Sequence, residues 1–219
     1  MMSSIKIFNR NALGCNTYIY TLDAHALIVD SGGQTHEIVE YLRAHQPQNI
    51  LLAYTHGHFD HVAYGFDLQK GLSDLKISYK TVAPAEDKIY FGPEGQQILE
   101  DCLTMFDVAD AYPNARIPHI DSFFSDGDDL GFADFKVLHT PGHTQGSCCF
   151  YSPEQKMMFS GDTIFAGGGT GRTDLPGGSQ QELLQSLHKL AHLPPDITIY
   201  PGHGPKDILQ RSLKALPGA

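Results

Sequence analysis

The sequence has no tryptophan and only four cysteines, and no two of them are spaced as a Cys-X-X-Cys pair. That spacing excludes a cysteine-rich zinc module or a thioredoxin-type redox motif. Cys15, Cys102, Cys148 and Cys149 are expected to be buried free thiols of a reducing compartment. Charge is also scarce: 18% of residues are Asp, Glu, Lys or Arg, and 15 basic against 25 acidic residues leave a formal net charge of −10. A chain that tracks nucleic-acid phosphates needs a basic face, so nucleic acid is excluded as a partner. Long apolar runs are missing. No stretch approaches the ~20 apolar residues of a membrane span, and the first residues hold no apolar segment of a secretory signal. The chain therefore reads as cytoplasmic, with no membrane partner. No linker or low-complexity tract breaks it, so residues 1–219 are expected to form a single domain.

What the sequence holds in quantity is glycine, 22 residues, and histidine, 12 residues, and both cluster. The densest stretch is Thr55-His56-Gly57-His58-Phe59-Asp60-His61. A helix cannot face all four of its metal-ligating side chains one way, and a strand would split them by parity. A tight loop removes both limits, and Gly57 is expected to supply the backbone freedom for it. The apolar run Ile50–Tyr54 just before it has the length of a buried strand. Three more strand-like runs end the same way. Phe135–Leu138 leads to His139-Thr140-Pro141-Gly142-His143, Lys156–Phe159 to Ser160-Gly161-Asp162, and Ile197–Tyr200 to Pro201-Gly202-His203. Strand ends along one sheet edge can converge, which would collect His56, His58, His61, His143, His203, Asp60 and Asp162. Imidazole and carboxylate are ligands that borderline divalent metals prefer. Seven donors exceed the four of a tetrahedral zinc and suit two ions sharing a carboxylate.

Between these runs the pattern predicts short strands at Ile5–Phe8, Tyr18–Leu22, Ala26–Val29 and Ile77–Ala83. Helices are predicted over Thr35–His45, Val62–Lys70, Glu94–Phe106, Ser179–Leu193 and Lys206–Lys214, with Pro84 opening a further short one. Ser179 and Glu182 form a capping box, and Leu183, Leu184, Leu187 and Leu190 are expected to line the apolar face behind it. Sheets covered by helices follow.

The ordered set Thr-His-Gly-His-Phe-Asp-His, Thr-Pro-Gly-His-Thr, Ser-Gly-Asp-Thr and Pro-Gly-His-Gly resembles the metallo-β-lactamase superfamily over nearly the whole chain. The resemblance implies an α/β fold, a four-layer αββα sandwich, with the metal site at one edge of the sheets. It implies two divalent metal ions, zinc first, with iron or manganese accepted by the same donors. His56, His58 and His143 would hold the first ion, Asp60, His61 and His203 the second, and Asp162 would bridge them. Asp60 and Asp162 would serve catalysis by a metal-bridging hydroxide. Asp30 matches a position that buttresses the site, though a turn cap would equally explain it, and His139, which starts the loop bearing His143, is expected either to support that residue or to be structural.

Gly161-Asp162-Thr163-Ile164-Phe165 followed by Gly169–Gly178 looks like the short bacterial glyoxalase II-like proteins, the hydroxyacylglutathione hydrolases. The implied reaction is hydrolysis of a glutathione thioester or a similar acyl thioester, so the expected partner is a small molecule derived from glutathione. Arg172 matches a basic residue that faces substrate in that family, and a guanidinium clasps a carboxylate bidentately. The alternative for Arg172 is a salt bridge to Asp174 that pins its loop. Tyr64 stands where the family has small residues and is expected to line the pocket or to sit at a helix start. The same motifs also fit a mononuclear iron glutathione persulfide dioxygenase, or a lactonase or other ester hydrolase.

Overall fold

A computed structural model describes residues 3–216, which fall into two compact units. The first runs to Ala83 and resumes over Lys88–Phe123; the second takes Pro84–Asp87 and the chain from Phe124 onward.

The first unit is built on one sheet whose strands lie in sequence order: β1 (Ser3–Phe8), β2 (Thr17–Leu22), β3 (His25–Val29), β4 (Asn49–Ala53), β5 (Ser78–Pro84) and β6 (Ser122–Phe124). β1, β2 and β3 pair antiparallel, whereas β3, β4 and β5 run parallel. Parallel neighbours need crossover connections. These are α1 (Thr35–His45) between β3 and β4, and α2 (Phe59–Val62) with α3 (Gly65–Asp74) between β4 and β5. β4 lies inside the parallel run, and Ile50, Leu51, Leu52 and Ala53 are all buried, as expected of a strand covered on both faces. α1 buries Ile38 and Leu42, one turn apart, and places Arg43 and His45 in its last turn, where the helix dipole favours cations. Leu68 and Leu72 of α3 join Ile19, Ile28, Leu52 and Tyr54 in one core. α4 (Lys88–Phe91) and α5 (Gly95–Met105) complete this unit.

The second unit has a five-stranded sheet containing β7 (Lys136–His139), β8 (Cys148–Ser152), β9 (Met157–Gly161), β10 (Thr198–Pro201) and β11 (Asp207–Ile208) in the spatial order β11-β10-β9-β8-β7. β9 and β10 are parallel and the remaining pairs antiparallel. α6 (Gln180–Leu190) buries Leu183, Leu187 and Leu190 against Met158, Ile197 and Ile199, and α7 (Leu209–Lys214) adds Leu209. Ser179 caps α6 by accepting the Glu182 amide at 3.3 Å. Each unit thus supplies a sheet and its helices, the two β and two α layers of the αββα class.

Four local readings change. The predicted loop at the histidine stretch is a loop only through His58; Phe59–Val62 is a helical turn that carries Asp60 and His61. Asp207–Ile208 pairs with β10 as a strand, so the last helix starts at Leu209. Pro84 ends β5, and a 3-10 turn over Ala85–Asp87 follows it. Leu184 is 60% exposed, because it is one residue round from Leu183 and therefore off the i, i+4, i+7 stripe.

Candidate metal centre

In the first unit the parallel pairing sets Val29 opposite Ala53, so the chain leaves β3 and β4 at the same end. Asp30 follows β3 with φ +61°, a left-handed conformation that Asp tolerates better than most residues. Its buried carboxylate accepts three hydrogen bonds: from the Thr55 amide at 2.8 Å, the Thr55 hydroxyl at 2.9 Å and His61 Nδ1 at 2.8 Å. Because the Thr55 hydroxyl gives its proton to Asp30, it accepts from His56 Nδ1 at 3.1 Å. One carboxylate therefore sets the tautomer of two histidines. Both carry their proton on Nδ1 and keep the Nε2 lone pair for a ligand, the outer-shell arrangement of metal-bound imidazoles.

The three rings of the stretch lie close. His56 is 4.1 Å from His61 and 5.0 Å from His58 between ring centroids, and His61 Nε2 is 3.7 Å from Asp60 Oδ2. Gly57 contributes space in place of the expected backbone freedom. Its φ is not positive among the described glycines, and a Cβ there would fall 2.4 Å from the Tyr90 ring.

In the second unit β8 is antiparallel to both neighbours, so β7, β9 and β10 point the same way. His143, Asp162 and His203 lie in the segments that leave their C-terminal ends. Asp162 Oδ2 stands 3.5 Å from His143 Nε2 and 3.6 Å from His203 Nε2. His143 Nδ1 donates to the Arg172 carbonyl at 2.7 Å, which again leaves Nε2 as the ligand atom. The glycines beside the first two of these donors are needed for backbone reasons: Gly142 has φ +130° and Gly161 has φ +47°.

The donor chemistry and spacing within each unit fit divalent metal. Donors 2.0–2.2 Å from one tetrahedral ion lie roughly 3.3–3.6 Å apart. The carboxylate–imidazole separations of 3.5 and 3.6 Å at Asp162 fall in that range and the 3.7 Å between His61 and Asp60 lies just beyond it, all of them long for hydrogen bonds.

Three further residues were placed by sequence. Arg172 meets Asp174 through Nε and Nη2, each at 2.7 Å, on an exposed segment. That paired hydrogen bonding with Arg172 holds the Asp174 carboxyl down at about 2. Tyr64 stacks on Tyr112 at 5.6 Å and donates its hydroxyl to the Ala111 carbonyl at 3.1 Å. His139 Nε2 donates to the Gln145 carbonyl at 2.7 Å, bracing the loop that carries His143.

Sequence reasoning missed Asp87. This buried residue accepts the Gly146 amide at 2.7 Å and the Thr144 hydroxyl at 2.8 Å, clamping the loop around His143 from 57 and 59 positions away. A Cβ on Gly146 would lie 2.5 Å from the Asp87 carboxyl. Nothing in Ala85-Glu86-Asp87 marks this role.

A family model described as the metallo-beta-lactamase superfamily matches residues 10–203. The probable metallo-hydrolase YqgX of Bacillus subtilis is 31% identical over 198 residues, covering 89% of this chain and 87% of that protein. Hydroxyacylglutathione hydrolase GloC of Haemophilus influenzae is 32% identical over 197 residues, covering 85% of this chain and 83% of that one. The crystal structure of TTHA1623 in a di-iron-bound form superposes with a TM-score of 0.78 at 29% identity, covering 97% of this chain and 98% of that one.

Proposed function

The chain belongs to the metallo-β-lactamase superfamily as a metallo-hydrolase, and from that premise we propose that it hydrolyses an acyl thioester, hydroxyacylglutathione in particular, with two divalent metal ions. The observation that carries this reading is the full seven-donor set in a chain similar across most of its length to hydroxyacylglutathione hydrolase GloC. We assign His56, His58 and His143 to one ion, Asp60, His61 and His203 to the other, and Asp162 to both. Zinc suits these donors, and the di-iron form of TTHA1623 favours iron as the second reading. Metal analysis of protein purified without added metal separates the two.

When bound, such ions supply a water that is nucleophilic near neutral pH and a polarised thioester carbonyl. The Asp60 carboxylate, buried in the same stretch, would orient that water. Asp30, directly and through Thr55, keeps the His61 and His56 imidazoles in the tautomer whose Nε2 would be free to hold the ions. The leaving group needs little help from the protein. A thiol has an unperturbed pKa near ~8.5, so it departs as thiolate without a general acid. Arg172 is the residue we assign to a substrate carboxylate, which would displace Asp174 from its guanidinium.

Asp162→Ala tests the ligand assignment. It removes the donor given to both ions, so metal content and thioester turnover are expected to fall together. Full activity with an undiminished metal content would remove Asp162 from the centre.

A further inference from the structure

Among the described residues one cysteine lies within a group of metal-ligating side chains. We propose that the Cys15 thiolate is an additional ligand of the ion served by Asp60 and His61, an inference that rests on the two-metal reading above. Cys15 Sγ, a carboxylate oxygen of Asp60 and a ring nitrogen of His61 all lie within 4.8 Å of one another, and all three residues are buried.

The position of the sulfur is built. The Asn11 side-chain amide closes on both main-chain groups of Cys15, accepting its N–H at 2.9 Å and donating to its carbonyl at 2.7 Å. That fixes the Cys15 backbone beside the end of β3. Gly32 then governs the approach. A Cβ at Gly32 would fall 2.9 Å from Cys15 Sγ and 2.2 Å from the Asp60 carbonyl, so any larger residue would push the sulfur and the Asp60 segment apart. Two independent features, the Asn11 clamp and the missing side chain of Gly32, hold a thiol against two donors. The other buried thiols are placed differently; Cys149, for instance, contacts the Thr140 hydroxyl and the Ser160 carbonyl.

The Cys15 thiol contacts the Asn16 carbonyl weakly, across 3.8 Å, and meets the His61 side chain. On metal binding the S–H bond breaks, its electron pair forms the sulfur–metal bond, and the proton leaves to solvent. A thiolate is a soft donor, so this position should prefer zinc, cobalt or iron(II) to manganese or magnesium.

Cobalt(II) makes the sulfur visible. Metal-free protein would be titrated with cobalt while bound metal and near-ultraviolet absorbance are both recorded, for the wild type, Cys15→Ser and Cys102→Ser. The expected result is two cobalt ions per wild-type chain, with a sulfur-to-cobalt charge-transfer band that is lost in Cys15→Ser and kept in Cys102→Ser. Two bound cobalt ions without a band in the wild type would overturn the proposal, and that result needs no variant to fold. Retention of the band by Cys15→Ser would also overturn it. One cobalt per chain, with a band that Cys15→Ser abolishes, would support the thiolate ligand while sinking the two-metal reading.

Discussion

Asp30 does the most with the fewest atoms. Its two oxygens accept three hydrogen bonds and thereby orient His56 and His61. Asp30→Asn keeps a residue that tolerates positive φ but puts an NH2 group where an acceptor stood. Metal affinity, measured by competition with a chromophoric chelator, is expected to fall about 10–100-fold, the usual effect of removing such a partner. Unchanged affinity would show that the tautomers are set elsewhere. Arg172 divides its work between backbone and side chain. Its carbonyl holds His143, and its guanidinium holds Asp174. Arg172→Ala leaves the carbonyl in place, so metal content should stay constant while KM for an anionic thioester rises by about tenfold, the low end of the ~1.5–3 kcal/mol for hydrogen bonds to charged groups. A constant KM would confine the side chain to its Asp174 bridge. The same variant should return the Asp174 carboxyl from about 2 toward the ordinary range of ~3.9, as carboxyl NMR shifts would show. At this scale the sequence was legible where motif and partner are neighbours, as in His56–His61. It was silent where the partner is remote, as with Asp87 and Gly146 or Asn11 and Cys15.

Parallel strands explain why the donors could be found one strand end at a time. β3 with β4, and β9 with β10, leave their sheets at a common end, so a polar residue after an apolar run marks one edge. The elements that escaped are those with too few residues for periodicity to show: β6 with three, β11 with two and α2 with four. Loop-to-helix packing was equally hidden. Gly142 carries φ +130°, and a Cβ there would fall 2.3 Å from the Leu183 amide of α6; its carbonyl accepts the Ser179 amide at 2.7 Å. Gly142→Ala combines backbone strain, ~1–3 kcal/mol, with overpacking of similar size. A loss of about 2–6 kcal/mol should lower Tm by roughly 4–24 °C in a chain of this size, as calorimetry would record. A Tm within a degree of the wild type would mean that α6 and the His143 loop are not coupled through this glycine.

For the whole molecule, composition set boundaries. The net charge of −10 disfavours phosphate-tracking partners, and no helix among the described residues is long and apolar enough to cross a membrane. The αββα class followed from motif order, which spans both units, while the partition of the chain did not. Pro84–Asp87 groups with the second unit although the rest of β5 belongs to the first, an exchange with no compositional mark. The central claim, a two-metal thioester hydrolase, is tested most directly by steady-state hydrolysis of S-lactoylglutathione. The assay follows loss of thioester absorbance by protein of measured metal content, with Asp162→Ala as the blank. Turnover of at least ~1 s⁻¹, the low end of ordinary enzymes, from chains carrying two metals is the predicted result. No turnover above the blank from chains carrying two metals would contradict it.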